Sequence, residues 1–229
     1  MKPTVPAKPV TIAIDAAEEV SGLLVLPPAA RACYVFAHGA GAGMTHPFMS
    51  AFAGELADRG IATLRYQFPY MERGSRRPDA PLVAHATVRA AVTVASRLAP
   101  GLPLFAGGKS FGGRMTSQAQ AAAPLSRVRG IVFVGFPLHP AGKPADSRAA
   151  HLFDVRIPML FLQGTRDELA MLELLRPVVE RLGARATLAV VDDADHAFHV
   201  PARTGRRDED VLAELANVTA RWIRAIAPK

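Results

Sequence analysis

Apolar positions along the chain fall into short, nearly continuous runs separated by longer stretches with helical spacing. Thr11–Ile14 and Val20–Leu26 read as a leading hairpin, and Cys33–Ala37 as an apolar strand that stops at His38. Pro47 to Arg59 has Pro in its first turn and Gly60 just past its end, the punctuation of a helix. Ile61–Tyr66 follows as a strand, then a polar loop from Pro69 to Pro81 and a helix from Leu82 to Leu98 that stops before Pro100. The second half repeats the alternation. Strands are predicted at Leu102–Ala106, Val128–Val134, Pro158–Leu162 and Ala186–Val191, with helices at Phe111–Ala123, Glu168–Leu182 and Asp208–Ile226.

Strands apolar along their whole length belong inside a parallel sheet covered on both faces, because an antiparallel sheet with one wet face would alternate. The expected fold class is therefore α/β, a mostly parallel central sheet with helices on both faces. No linker or internal repeat interrupts the 229 residues, so one domain over 1–229 is expected. In such sheets ligands sit beyond the carboxyl ends of the strands. The segments there are His38–Gly43, Gln67–Tyr70, Gly107–Ser110, Gly135–His139, Gln163–Asp167 and Asp192–His196.

Composition narrows the chemistry. Half the residues are hydrophobic and 21% are charged, which excludes a disordered chain. Cys33 is the single cysteine, so neither a disulfide framework nor a multi-thiolate metal site can form within the chain. Histidine spacing offers no H-x-x-x-H or H-E-x-x-H pattern, and no metal or cofactor is expected. The net charge of +7 comes from basic residues spread along the chain. The densest group, Arg73, Arg76 and Arg77, lacks the interleaved aromatics of a base-stacking surface, so no nucleic-acid partner is expected. Ala32 to Gly54 runs without a charged residue but holds four glycines and Pro47, a poor membrane helix. With no secretory pattern at the start, no membrane association and a cytoplasmic location are the expectation.

Gly108-Lys109-Ser110-Phe111-Gly112 matches G-x-S-x-G between a predicted strand and a predicted helix. That context is what a nucleophile elbow needs, holding a serine Oγ above the sheet on a sharp turn. The same residues mimic the tail of a phosphate-binding P-loop, but its first Gly would fall on Pro103, inside the strand. A dinucleotide fingerprint at Gly39, Gly41 and Gly43 fails because its third Gly would fall on Met44. His38-Gly39-Ala40-Gly41 fits better as a loop offering a backbone N–H to developing negative charge, with the Phe111 N–H as second donor. A serine needs a histidine to take its proton and a carboxylate to orient that histidine. Asp167 after Pro158–Leu162 and His196 after Ala186–Val191 are best placed, with His199 as a competing base.

The order His-Gly-Ala-Gly-Ala-Gly at 38–43, Gly-Gly-Lys-Ser-Phe-Gly-Gly at 107–113, Gly-Thr-Arg-Asp at 164–167 and Asp-Ala-Asp-His-Ala-Phe-His at 193–199 resembles the α/β-hydrolase superfamily over nearly the whole chain. Residues 38–49 and 65–74 resemble a compact bacterial group related to the dienelactone hydrolases. The resemblance implies Ser110 as nucleophile, Asp167 as acid, His196 as base, and Phe111 and Ala40 as oxyanion donors, with Gly41 the alternative to Ala40. Dienelactone hydrolases proper carry a cysteine at the elbow, where this chain has Ser110. Only Gly135 to Ile157 separates two strands where many relatives insert a helical cap, so no cap domain is expected. Met44, Phe48, Tyr70 and Leu138 are then the expected walls of an open site for a small-molecule ester. A non-catalytic interaction module on the same fold is the competing expectation.

Overall fold

The computed structural model describes residues 5–227. Among these residues eight strands form one sheet: β1 (Lys8–Ala13), β2 (Glu19–Val25), β3 (Ala32–Ala37), β4 (Ile61–Tyr66), β5 (Leu104–Lys109), β6 (Val128–Val134), β7 (Met159–Gly164) and β8 (Ala186–Val191). Their order in the sheet is β1-β2-β4-β3-β5-β6-β7-β8. β1 pairs antiparallel with β2, and β2 antiparallel with β4, while every other pairing is parallel. Every residue of β3, β4 and β7 is buried, which is why those strands lack alternation in the sequence.

Helices α1 (Pro47–Ala57) and α6 (Asp208–Ile226) cover one face, and α3 (Pro81–Leu98) and α4 (Phe111–Ala122) the other. A third apolar cluster joins β6 and β7 to α5 (Leu172–Leu182) and to a 3-10 segment at Ser147–Asp154. That short segment is the only helical element between β6 and β7 among the described residues, and no cap domain is present there. No helix among them is long and apolar enough to cross a membrane.

Several boundaries differ from the sequence expectation, and three differences have a clear tertiary reason. β5 runs three residues further than predicted, because Gly107 and Gly108, which read locally as turn residues, pair with both β3 and β6. α5 begins at Leu172 rather than Glu168, since the Asp167 carboxylate accepts the Leu169 N–H at 2.8 Å and holds the intervening residues in a turn. The loop from Pro69 contains a short helix, α2 (Pro69–Glu72). It is fastened by Arg73, which pairs with Glu18 at 2.7 Å and Asp79 at 2.6 Å. The arginine that led the densest basic group is thereby neutralised by two carboxylates.

Candidate functional site

Ser110 stands between β5 and α4 with φ 49° and ψ −114°, a backbone region that side chains rarely adopt. The glycines on either side serve close approach more than turning. A Cβ on Gly108 would lie 2.5 Å from the Ala37 carbonyl oxygen, and one on Gly112 2.5 Å from that of His38. The first turn of α4 can therefore seat directly on the end of β3, which brings the 38–43 loop against the serine.

Ser110 Oγ lies 2.8 Å from His196 Nε2, and His196 Nδ1 lies 2.7 Å from Asp167 Oδ2. The Asp167 side chain is fully buried, and its carboxylate also accepts bonds from the Gln163 side-chain amide and the Leu169 N–H. A carboxylate so surrounded by donors favours the tautomer in which Nδ1 donates to it, leaving Nε2 to accept from the serine hydroxyl. His199 points elsewhere: it is exposed and bonded to Asp208 at 2.8 Å. Asp195 caps the same loop, accepting the N–H groups of Ala197 and His199 at 2.8 and 2.9 Å.

Two groups escaped the sequence reading. His38 is wholly buried, with Nδ1 donating to the Gly39 carbonyl at 2.8 Å and Nε2 accepting the Phe68 N–H at 3.1 Å. Burial pushes its pKa down to about 4, so it is a neutral clamp between two loops. Lys109 reaches across to donate from Nζ to the His196 carbonyl and lies 5.2 and 5.8 Å from the ring centres of Phe198 and Phe48. Burial lowers its pKa to about 8 against the opposing pull of Asp167 and Asp195. The only signal in the sequence was a long cationic stem next to the elbow serine.

The Gly41 N–H donates to Tyr70 Oη at 3.3 Å, so it is engaged within the protein. Ala40 lines the cavity beside Ser110, and Phe111 opens α4, where first-turn N–H groups have no intrahelical acceptor. The cavity measures about 640 Å³, inside the usual range of small-molecule sites of roughly 300–1,000 Å³. Its walls correct the expectation. Gly39, Ala42, Lys109, Arg166, Glu168, Leu169 and Ala197 line it; Met44, Phe48, Tyr70 and Leu138 do not. Tyr70 and Leu138 are buried, and Met44 nearly so, with its N–H held by Gln67 and its carbonyl by Arg65. Phe48 lines a smaller neighbouring cavity with Phe198.

A mixed sheet with a strained serine at a strand-to-helix turn, bonded through histidine to a buried carboxylate, defines the class of α/β hydrolases. Comparison bears this out: the model of the family described as an alpha/beta hydrolase domain matches residues 30–224, and the chain belongs to that family. The fold is similar to a dienelactone hydrolase from Anabaena variabilis, with TM-score 0.79 and 22% identity, covering 99% of this chain and 100% of that one. It is also similar to an α/β serine hydrolase without lid from Xanthomonas campestris, with TM-score 0.72 and 23% identity over 96% of each chain. A curated relative, a putative phosphoribosyl transferase from Mycobacterium tuberculosis, is 29% identical over 208 residues. Those residues cover 89% of this chain, which spans 43% of the length of that relative.

Proposed function

We propose that the protein is a serine hydrolase, esterase-like, that cleaves a small ester through an acyl-Ser110 intermediate. The carrying observation is the continuous hydrogen-bonded line from Ser110 Oγ through His196 to Asp167, opening on the cavity. The names of similar folds support the reading, among them an esterase domain from Rhodothermus marinus and a cold-adapted esterase from an Arctic intertidal library. Ser110 attacks the ester carbonyl as His196 Nε2 takes its proton, and Asp167 stabilises the imidazolium that forms. The Ala40 and Phe111 N–H groups face the oxyanion; removing one such donor typically costs about 10²–10³ in rate. His196 passes its proton to the leaving alkoxide, which departs as the alcohol. Water, deprotonated by His196, then releases the acid and restores Ser110. Serine, histidine, aspartate and water balance the reaction, so no cofactor enters it.

Phosphoribosyl transfer, the activity in the mycobacterial relative's name, needs no acyl-forming serine, and this chain spans less than half of that protein. A fluorophosphonate probe should label the protein once, at Ser110. Ser110→Ala should abolish both labelling and p-nitrophenyl acetate hydrolysis. Labelling that persists in that variant sinks the assignment, and absence of both in the native protein favours a non-catalytic interaction module.

A further inference from the structure

One face of α4 carries a cluster that the serine chemistry does not use. Arg114, Ser117 and Gln118 face the Ser147–Asp154 segment and the start of α3. His151 Nε2 lies 2.7 Å from Ser117 Oγ, and His85 Nε2 lies 3.4 Å from Gln118 Oε1. Arg114 and Arg148 are both half-buried. Elsewhere Arg59, Arg73, Arg203, Arg206 and Arg207 each rest on a carboxylate. The Arg114 and Arg148 guanidinium groups have no hydrogen-bond or ion-pair partner among the described residues, and Arg114 Nε is a buried donor left unpaired.

The cations also oppose one another. Burial and then Arg148 lower the pKa of Arg114. Burial and then Arg114 push His151 down to about 4, with His85 adding to the effect and only Asp154 pulling the other way among carboxylates. Burial lowers His85 as well, with Arg89 contributing and the Gln118 bond opposing. Two unpaired guanidinium groups close enough to repel one another, one with an orphaned donor, leave a positive field and open hydrogen-bonding capacity on this face of α4. Such an arrangement is stable only at a cost unless an anion completes it. Guanidinium forks match the oxygens of a tetrahedral dianion, which accepts from both at once.

We propose that Arg114 and Arg148, flanked by His151 and His85, form a binding site for a phosphate dianion, separate from the Ser110 cavity. The site lies one helical turn from the elbow, since the Arg114 N–H donates to the Ser110 carbonyl at 3.2 Å. It does not depend on the hydrolase reading, because none of its side chains belongs to the serine line or lines the cavity.

Inorganic phosphate titrated by calorimetry into the full chain at low chloride should bind at one site. Arg114→Gln and Arg148→Gln should each weaken that binding at least tenfold. Arg166→Gln, which removes the exposed arginine at the Ser110 cavity, should leave it unchanged. Glycerol phosphate in the same assay distinguishes sources: tighter binding than inorganic phosphate assigns an organic phosphate ester, weaker binding the free ion. Sulfate, a dianion throughout pH 5–8, should raise the His151 titration seen by histidine NMR, because an added anion offsets Arg114 and His85 and reinforces Asp154. Arg148→Gln, at a half-exposed position, carries the test if Arg114→Gln fails to fold. Absence of phosphate binding, or binding insensitive to Arg148→Gln or lost in Arg166→Gln, overturns the proposal.

Discussion

Ser110 holds φ 49° and ψ −114°, where a Cβ is crowded by the flanking backbone and a glycine is not. Replacing it by Ala and by Gly separates strain from chemistry, because both variants lose the hydroxyl and its bond to His196 equally. Backbone strain of this kind costs about 1–3 kcal/mol, and the Ala variant keeps it while the Gly variant sheds it. Against this, glycine gives up about 0.5–1 kcal/mol more chain entropy on folding than alanine. The methyl group adds little, as Ser110 is part-exposed at the cavity. The balance favours Ser110→Gly over Ser110→Ala by about 1 kcal/mol, whereas at an ordinary position glycine would be the less stable. In a domain of this size that is roughly 2–4 °C in melting temperature. Urea unfolding of both variants, compared at equal slope, measures the difference. A Ser110→Ala variant more stable than Ser110→Gly would refute the claim that the elbow stores strain at its serine.

Other expectations follow from the same neighbourhood. Gly112→Ala places a methyl 2.5 Å from the His38 carbonyl and 2.7 Å from Ala37 Cβ. It should destabilise by about 1–3 kcal/mol in a urea melt and lower ester hydrolysis at least tenfold in the folded fraction, by lifting α4 off β3. Cys33 is wholly buried, and burial pushes its thiol up to about 12. Iodoacetamide at pH 8 should leave it intact in the native protein and modify it in urea, as mass spectrometry would show. Lys109 gives up its proton at about 8 when folded and near 10.4 when unfolded. At Lys109 the unfolded chain thus binds more protons between those values, so this group contributes a rise of stability with pH across that window, against the fall that the raised Cys33 thiol adds. In Lys109→Met that rise should be absent from the pH series of denaturation midpoints.

The positions of Ser110, Asp167 and His196 were legible because each follows a strand whose apolar run marks it as central, and chain order supplied the rest. Cavity walls were not legible in the same way. Standing after a strand says where a residue is, not which way its side chain turns: Tyr70 sits on α2 with its hydroxyl turned to the Gly41 N–H, and Leu138 packs inward. The ends of β5 and α5 were hidden for a related reason. Gly107 and Gly108 gain their strand partners from β3 and β6, and residues 168–171 are held in a turn by the Asp167 carboxylate. Lys109 mimics the tail of a phosphate loop that Pro103 already excludes in the sequence, but nothing local signals that its stem crosses to the histidine loop.

Between β6 and β7 the chain spends few residues, and only a 3-10 segment stands there. With no cap domain there among the described residues, the water that resolves the acyl-enzyme in the proposed reaction enters from bulk. The same openness leaves the oxyanion in contact with a high dielectric, which weakens each donor's pull on it. In the proposed reaction such a site trades transition-state stabilisation for unhindered exchange, and selectivity would rest on the rim residues Arg166, Glu168 and Leu169 rather than on enclosure.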